Sequence, residues 1–232
     1  MENPHKQVFL ESIDLFSELP HEEVEKISRN FHLQTRPRGA FIFLEGGTCE
    51  AFYIIAAGKV RLFETSLEGK QQSLFVVRER GYFDVLTLID QEPHPIAAKT
   101  MSDVRLYVIH NKEMLDLTQR FPSIASNLLH EMARMLSQMA TLIGDLSFGC
   151  VATRLSRLIL EHAHDEGITT PEGIHLPWEM TQLEIAHLIG TSREVVSRIL
   201  HRMQQEHLIH TTHDELIIDD LKRLKERTFS HK

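Results

Sequence analysis

From Ser123 to Leu146 the chain reads SIASNLLHEMARMLSQMATLIGDL, and its apolar residues fall in two lines. Leu128, Met132, Met135, Met139, Leu142 and Leu146 follow one another at steps of four, three, four, three and four. That spacing, about 3.5 residues per turn, predicts a helix with a narrow seam suited to a partner helix. A second line, Leu129, Leu136 and Ile143, repeats every seven residues beside it. One line can dock on the chain's own globular part while the other meets a second copy; the Leu128–Leu146 line is read as the seam between copies. Pro122 sits where it can open this helix, and Gly144 and Gly149 loosen its far end. The stripe alone also fits a helix buried in a single core, so the flanking sequence decides.

On the N-terminal side, residues 8–32 read as short helices, one of them starting at Leu19-Pro20-His21 and burying Val24, Ile27 and Phe31. Between Leu33 and His110 the period changes to that of strands, over residues 40–44, 51–55, 59–63, 72–77 and 104–109. Gly39, Gly46-Gly47, Gly58, Gly69 and Gly81 punctuate them as tight antiparallel turns require. Many short strands at regular spacing predict a small barrel or jelly roll. Residues 111–120 then form a short helix before the long one.

Beyond Gly149 the pattern is helical again. Residues 151–164 are amphipathic through Leu155, Leu158 and Ile159, whereas 168–178, with Pro171, Gly173 and Pro177, reads as a loop holding a short strand at Ile174-His175-Leu176. Thr181-Gln182-Leu183-Glu184 is a capping box opening a helix over Ile185, Leu188 and Ile189. Gly190 makes a turn, and Thr191-Ser192-Arg193-Glu194 caps a second helix with Val195, Val196, Ile199 and Met203 inside. A hairpin follows, 209–212 returning as 216–218, and 221–227 closes as a last helical turn or two. Two short helices across a glycine turn, with a hairpin wing, predict a winged helix-turn-helix. Its outward residues, Arg193, Glu194, Ser197, Arg198, His201 and Arg202, are of the types that pair with guanine, cytosine and phosphate. Thr181, Thr191 and Ser192 join them as capped helix starts facing phosphate. On any solvated helix Glu194 and Arg198 would also form an i,i+4 ion pair.

Composition narrows the partners. The 232 residues are 42% hydrophobic and 25% charged, with no run of apolar residues long enough to cross a bilayer. The formal net charge of −8 argues against indiscriminate nucleic-acid binding but permits a small, locally basic reading head. The N-terminal MENPHKQVFLESIDLF lacks a basic segment followed by an apolar core, so a cytoplasmic protein with no membrane partner is expected. Cys49 and Cys150 are the only cysteines, too few for a disulfide framework, and reduced thiols are expected. No nucleophile elbow, P-loop, H-E-x-x-H or paired-carboxylate motif is present, so no enzymatic activity is expected.

Taken together the chain resembles the family of the cyclic-AMP receptor protein and the fumarate–nitrate reductase regulator, the CRP/FNR transcription factors. The resemblance covers essentially the whole length. It rests on the glycines and strand pattern from Arg38-Gly39 through Gly81-Tyr82-Phe83, on the seam helix, and on Gln182-Leu183-Glu184-Ile185-Ala186-x-x-Ile189-Gly190-x-Ser192-Arg193-Glu194-x-Val196-Ser197-Arg198-Ile199-Leu200. It implies an α+β chain with a cyclic-nucleotide-binding-like β-roll sensor domain (1–120), a dimerisation helix (121–148) and a winged helix-turn-helix (149–232), with a boundary near 147–151. It further implies a homodimeric transcriptional regulator, activator or repressor, that reads palindromic double-stranded DNA and works with RNA polymerase. In the family, residues matching Arg193, Glu194 and Arg198, or Glu194, Ser197 and Arg198 in the anaerobic branch, read each half-site; this chain carries both sets.

Departures from the family bear on the signal. Cyclic-nucleotide members carry a Gly-Glu pair and, further on, an Arg-Ser/Thr-Ala that grips the phosphate. Here the matching stretches are Gly81-Tyr82-Phe83-Asp84-Val85 and Glu92-Pro93-His94-Pro95-Ile96-Ala97, without the arginine. An anion buried there without its cation would cost several kcal/mol, roughly, which disfavours cyclic AMP. An iron–sulfur cluster is disfavoured because four thiolates are the usual requirement. The open alternatives are a small apolar effector, a haem sensing nitric oxide or carbon monoxide, a thiol switch, or no effector; the rival from another class is a haem-based sensor or small-molecule binding module with weak or vestigial DNA binding. For haem the candidate ligands are His94 and His32. The candidate effector pocket comprises Tyr82, Phe83, Asp84 and His94, and Cys49 has no basic neighbour in sequence to lower its pKa.

Overall fold

The computed structural model describes residues 4–171, 173–212 and 215–229. Two compact units emerge, one of Met1–Lys70 with Leu74–Met139, the other of Gln71–Ser73 with Ala140–Lys232.

The first unit opens with α1 (Pro4–Glu11), a 3-10 turn (Asp14–Phe16) and α2 (His21–Ser28). Eight strands follow: β1 (His32–Arg36), β2 (Phe41–Phe43), β3 (Ala51–Ala57), β4 (Val60–Thr65), β5 (Gln71–Val77), β6 (Tyr82–Phe83), β7 (Ala97–Thr100) and β8 (Val104–His110). They form two four-stranded sheets in the orders β1-β8-β3-β6 and β2-β7-β4-β5. Helix α3 (Val85–Asp90) sits between β6 and β7, and α4 (Asn111–Arg120) follows β8.

The side-chain alternation of β3 and β8 explains why both read as unbroken apolar runs. Ala51, Ile55, Leu106 and Val108 face the interior of the roll beside Val60, Leu62, Phe83 and Ala98. Phe52, Ile54, Tyr107 and Ile109 point the other way, onto Leu10, Phe16, Val24, Ile27 and Phe31 of the N-terminal helices. A strand buried on both faces has no polar side to show, so period two is lost. Short β1, β6 and β7 escaped separate prediction for other reasons: β1, His-Leu-Gln-Thr-Arg, holds one apolar residue, and β6 and β7, of two and four residues, are too brief to stand out.

Helix α5 (Pro122–Phe148) runs unbroken for 27 residues and begins at the expected proline. Its start is anchored on the roll. Ile124 and Leu128 belong to the core there, Met132 packs against it, and Asn127 Nδ2 donates to the carbonyls of Asp14 (2.9 Å) and Leu15 (3.3 Å). The two apolar lines therefore exchange roles at this end. Leu128, expected at an interface between copies, is 2% exposed inside its own chain, whereas Leu129, Leu136 and Ile143 stand 67%, 70% and 61% exposed. Burying the first line was the cheaper solution because the N-terminal helices already present an apolar surface at that point. Met135 and Leu142 remain half-buried, and Met139 and Leu146 are exposed.

In the second unit, α6 (Val151–Glu166) leads to β9 (Ile168–Thr170), β10 (Gly173–Pro177), α7 (Gln182–Ile189), α8 (Arg193–Gln205), β11 (Ile209–Thr211), β12 (Glu215–Ile218) and α9 (Leu221–Phe229). Leu155, Ile159, Leu176, Ile185, Ile189, Val196, Leu200, Met203, Leu216 and Leu224 form one core. The segment 168–178 is more ordered than its prolines and glycine suggest. It supplies two strands, so the hairpin is part of a four-stranded sheet, β11-β12-β10-β9. Pro177 is tolerated because it closes β10.

Gly58 turns β3 into β4 at φ +93°, where a Cβ would collide with the Asp103 carbonyl oxygen and the Val104 side chain. Gly58→Ala is expected to destabilise the roll by upwards of about 1 kcal/mol, read as a lower urea midpoint by circular dichroism.

Candidate functional site

Two sites emerge, an exposed polar face on α8 and a polar cluster in the roll. Thr181 caps α7 with a complete capping box, its Oγ1 accepting from Glu184 N (3.2 Å) while Glu184 Oε2 accepts from Thr181 N (2.8 Å). Gly190 ends α7 in the left-handed region at φ +68°, and a Cβ there would stand 2.7 Å from Leu146. The cap of α8 is Ser192, whose Oγ accepts from Val195 N at 3.4 Å. The box expected to start at Thr191 thus does not form; the cap falls one residue later, as a single Ser192 side-chain bond. Thr191 instead donates its own N–H to Ala186 O (3.0 Å), closing the turn.

This register sets what α8 buries and what it shows. Val196, Leu200 and Met203 are fully inside, while Val195 and Ile199 are half-buried flanks rather than core. Arg193, Glu194, Ser197, Arg198, His201 and Arg202 are all exposed. Glu194, Ser197, Arg198 and His201 lie at i, i+3, i+4 and i+7, one face of the helix. The backbone N–H groups at the start of α8 and the Ser192 hydroxyl hold the Glu194 carboxyl below the usual range. The expected Glu194–Arg198 ion pair does not form; among the described residues Arg198 makes no hydrogen bond or ion pair. Arg202 bonds Glu206 through Nε (2.9 Å), and His201 meets Gln205 (3.1 Å). Gln204 Nε2 donates to Thr211 Oγ1 (2.6 Å), fixing β11 against the helix. The tip of the hairpin, residues 213 and 214, lies outside the described residues.

Sequence reasoning missed the residue that positions this head. Arg154 on α6 donates from Nε to Ile189 O (2.7 Å) and from Nη2 to Gly190 O (3.4 Å) at the end of α7. From Nη1 it donates to Asp145 O (3.0 Å) and Gly149 O (2.7 Å) at the end of α5. Helix C-termini leave carbonyls without intrahelical partners and carry partial negative charge, so a guanidinium is the natural group to gather them. Arg157 adds an ion pair to Asp145. An arginine on an amphipathic helix carries no sign of such a role in sequence. Nearby, Cys150 is exposed, and its thiol is pulled below the usual range by the Thr153 hydroxyl and by backbone N–H groups at the start of α6.

In the roll, the four residues expected to share a pocket point in three directions. Phe83 fills the interior, stacked on Tyr53 at 5.1 Å. Tyr82 turns to the other side, 5.6 Å from Phe52, and its hydroxyl donates to Asn127 O of α5 at 3.5 Å. It also borders a cavity of about 350 Å³ with Ser12, Asp14, Arg80, Gly81, Glu131 and Arg134. Burial pushes the Tyr53 hydroxyl up to about 12 and moves Tyr82 in the same direction. Tyr82 and Phe83 are successive residues of one strand, so one pocket could not receive both.

Asp84 and His94 do come together. Asp84 adopts φ +76° just before α3. Its Oδ1 lies 3.1 Å from His94 Nδ1 and accepts from the Thr87 hydroxyl. The His94 backbone is tied to the Gly46-Gly47 turn, accepting from Gly46 N (2.8 Å) and donating to Gly47 O (2.9 Å), and its ring stacks on Phe43 at 3.8 Å. The same turn delivers Cys49, whose sulfur lies 3.2 Å from Asp84 Oδ2 and 2.9 Å from Thr87 Oγ1. Asn111 Nδ2 donates to that sulfur at 2.6 Å. Burial raises the Asp84 carboxyl, against the pull of the Thr87 hydroxyl and of His94. Burial also pushes the Cys49 thiol up, with Asp84 adding to the rise. His94 is 3% exposed and committed to this cluster, so haem coordination there would require the cluster to open; His32 is exposed at the start of β1.

With this geometry in view, residues 33–121 match the family described as cyclic nucleotide-binding domain, and residues 153–227 the Crp-like helix-turn-helix domain. The chain is 30% identical over 215 residues to the cyclic AMP receptor protein of Thermus thermophilus, covering 93% of this chain and 96% of the relative. It is 29% identical over 191 residues to the CRP-like cAMP-activated global transcriptional regulator of Mycobacterium tuberculosis, covering 82% and 85%. In fold it is similar to the c-di-GMP responsive global regulator CLP of Xanthomonas campestris, with a TM-score of 0.77 at 19% identity over 87% of this chain and 100% of that one. No helix among the described residues is long and apolar enough to cross a membrane.

Removing the guanidinium leaves four carbonyls short of a donor. Arg154→Ala is expected to destabilise the second unit by about 2–3 kcal/mol, and Arg154→Lys to recover less than half of that. The only tryptophan, Trp178, packs in this unit, so its fluorescence during urea unfolding reads the loss directly.

Proposed function

The chain belongs to the CRP/FNR family of transcriptional regulators, and from that premise we propose that it acts as a homodimer that binds a palindromic duplex site-specifically. The observation that carries this reading is the face of α8. Three arginines, a glutamate, a serine and a histidine stand exposed on a helix whose other side is locked into a core. Arg198, with no partner among the described residues, is left to pair bidentately with guanine; Arg193 and Glu194 flank it to read neighbouring bases. Thr181, Thr191, Ser192 and Arg202 hold phosphates, which fix register without reading sequence.

The apolar line of Leu129, Leu136 and Ile143 supports the dimer, with Met139 and Leu146 beside it. A line repeating every seven residues is satisfied by the same line on a parallel copy. Such pairing would set two α8 helices about 34 Å apart for one turn of DNA. The working division is a sensor over 1–120, a pairing helix over 121–148 and a DNA-binding part over 149–232. RNA polymerase is the proposed partner, the cytoplasm the proposed location and activation the proposed direction, with no enzymatic activity in the mechanism.

The effector we propose is not cyclic AMP. Asp84 is 9% exposed, and the stretch matching the family's phosphate-gripping arginine presents His94, turned toward that carboxylate. A phosphodiester placed there would meet a negative charge rather than a guanidinium.

Arg198→Ala is expected to cost about 1–3 kcal/mol of DNA affinity and to relax specificity at its base pair. Arg202→Ala should instead weaken all duplexes about equally and lower the salt slope by about 1. Competition gel shifts over a randomised half-site separate the two, and equal losses on every sequence for Arg198→Ala would overturn the assignment. In sedimentation velocity Leu136→Glu should give a monomer; a variant that stays dimeric would remove the apolar line from the interface.

A further inference from the structure

We infer that Cys49, Asp84 and His94 form a binding site for a divalent transition-metal ion of the zinc type, with the fourth coordination position left to a water or an exogenous ligand. The three ligand atoms, a sulfur, a carboxylate oxygen and an imidazole nitrogen, all lie within 4.8 Å of one another. The Asp84 and His94 side chains are 4% and 3% exposed, so the group is enclosed rather than spread on a surface. Zinc bonds of about 2.0–2.3 Å to these donors give ligand-to-ligand edges of roughly 3.3–3.6 Å in a tetrahedron. Asp84 Oδ1 stands 3.1 Å from His94 Nδ1 and Asp84 Oδ2 stands 3.2 Å from Cys49 Sγ, so the carboxylate already lies between the two other ligands, and the group closes on an ion by turning side chains rather than by moving backbone. One thiolate, one imidazole and one carboxylate suit zinc or cobalt and suit magnesium and calcium poorly.

The surroundings have the form of a supporting shell for such a site. Thr87 holds one Asp84 oxygen and Asn111 Nδ2 meets the Cys49 sulfur at 2.6 Å. The stacked Phe43 ring fixes the orientation of His94. Among the described residues Asn111 Oδ1, in the same amide, is buried without a hydrogen-bond partner, an acceptor open to a metal-bound water. The three ligands come from three separate stretches: the segment entering β3, the residue before α3 and the loop leading to β7. Asp84 holds a left-handed backbone to bring its carboxylate there, a strain of the sort found where a side chain must be aimed. Binding would release the Cys49 thiol proton and pin the three stretches to one point.

The site is independent of the DNA reading, because uptake is measured on the purified chain without DNA. The full-length protein, stripped with chelator, is titrated with cobalt(II) and, separately, dialysed against zinc. Expected are one ion per chain, a thiolate-to-cobalt charge-transfer band with the visible bands of a tetrahedral ion, and an unfolding midpoint raised by several degrees. Cys49→Ser and His94→Gln should each abolish the band, Asn111→Ala should weaken binding about 10–100-fold, and Cys150→Ser should leave the band intact. Circular dichroism reports whether each variant is folded, and Asn111→Ala tests the site even if a ligand variant is not. Uptake well below one ion per chain, a band that survives Cys49→Ser, or affinity unmoved by Asn111→Ala would overturn the proposal.

Discussion

The DNA-binding part depends on one cation with four acceptors. Arg154 collects the carbonyls at the ends of α5 and α7, and in doing so fixes the direction in which α8 leaves the Gly190 turn. Neutral donors could satisfy those oxygens singly. Only a planar guanidinium, donating along several directions, holds two helix ends at once and counters the partial charge of both. The last turns of α5 therefore move with α7 and α8.

The roll solves a different problem. Its central strands bury both faces, one against the opposite sheet and one against helices, which leaves little freedom for the segment between β6 and β7. That segment carries Asp84 and Thr87 and continues directly from Tyr82 and Phe83 of β6. It touches three surroundings at once: Tyr82 reaches α5 at Asn127, Phe83 reaches the interior, and Asp84 reaches the Cys49–His94 cluster. A change at the polar cluster thus lies two residues along the chain from a contact with the long helix. Close coupling follows from the strand being only two residues long.

Much of this was legible in the amino-acid order, and the limits have physical causes. Amphipathic helices, glycine turns and the Thr181 capping box carry local signals, and each forms where it is expected. The long helix was legible too, but which of its two lines faces inward was not, because Leu128 and Leu129 are equally apolar and the choice is made by a distant surface. Strands β3 and β8, buried on both faces, lack a polar side but remain legible as short apolar runs between glycine turns, whereas β9, with one apolar residue in three, carries no such run. The exposure of the arginines on α8 was legible since polar residues on a capped amphipathic helix keep their pattern. The polar cluster was half legible: Asp84 and His94 stood out against the family pattern, whereas Cys49, Thr87 and Asn111 reach it from other parts of the chain with no periodic relation to one another. Arg154 was invisible for the same reason, its acceptors being backbone atoms that any residue supplies.

The two thiols of the chain live in opposite circumstances. Cys150 is open to solvent at the joint between α5 and α6 with its ionised form favoured, while Cys49 is half-buried with its ionised form disfavoured. A maleimide dye at neutral pH would therefore settle on Cys150 first, without any engineered substitution. The native chain thus supplies its own attachment point for a fluorophore at the place where motion of the long helix would pass to the head.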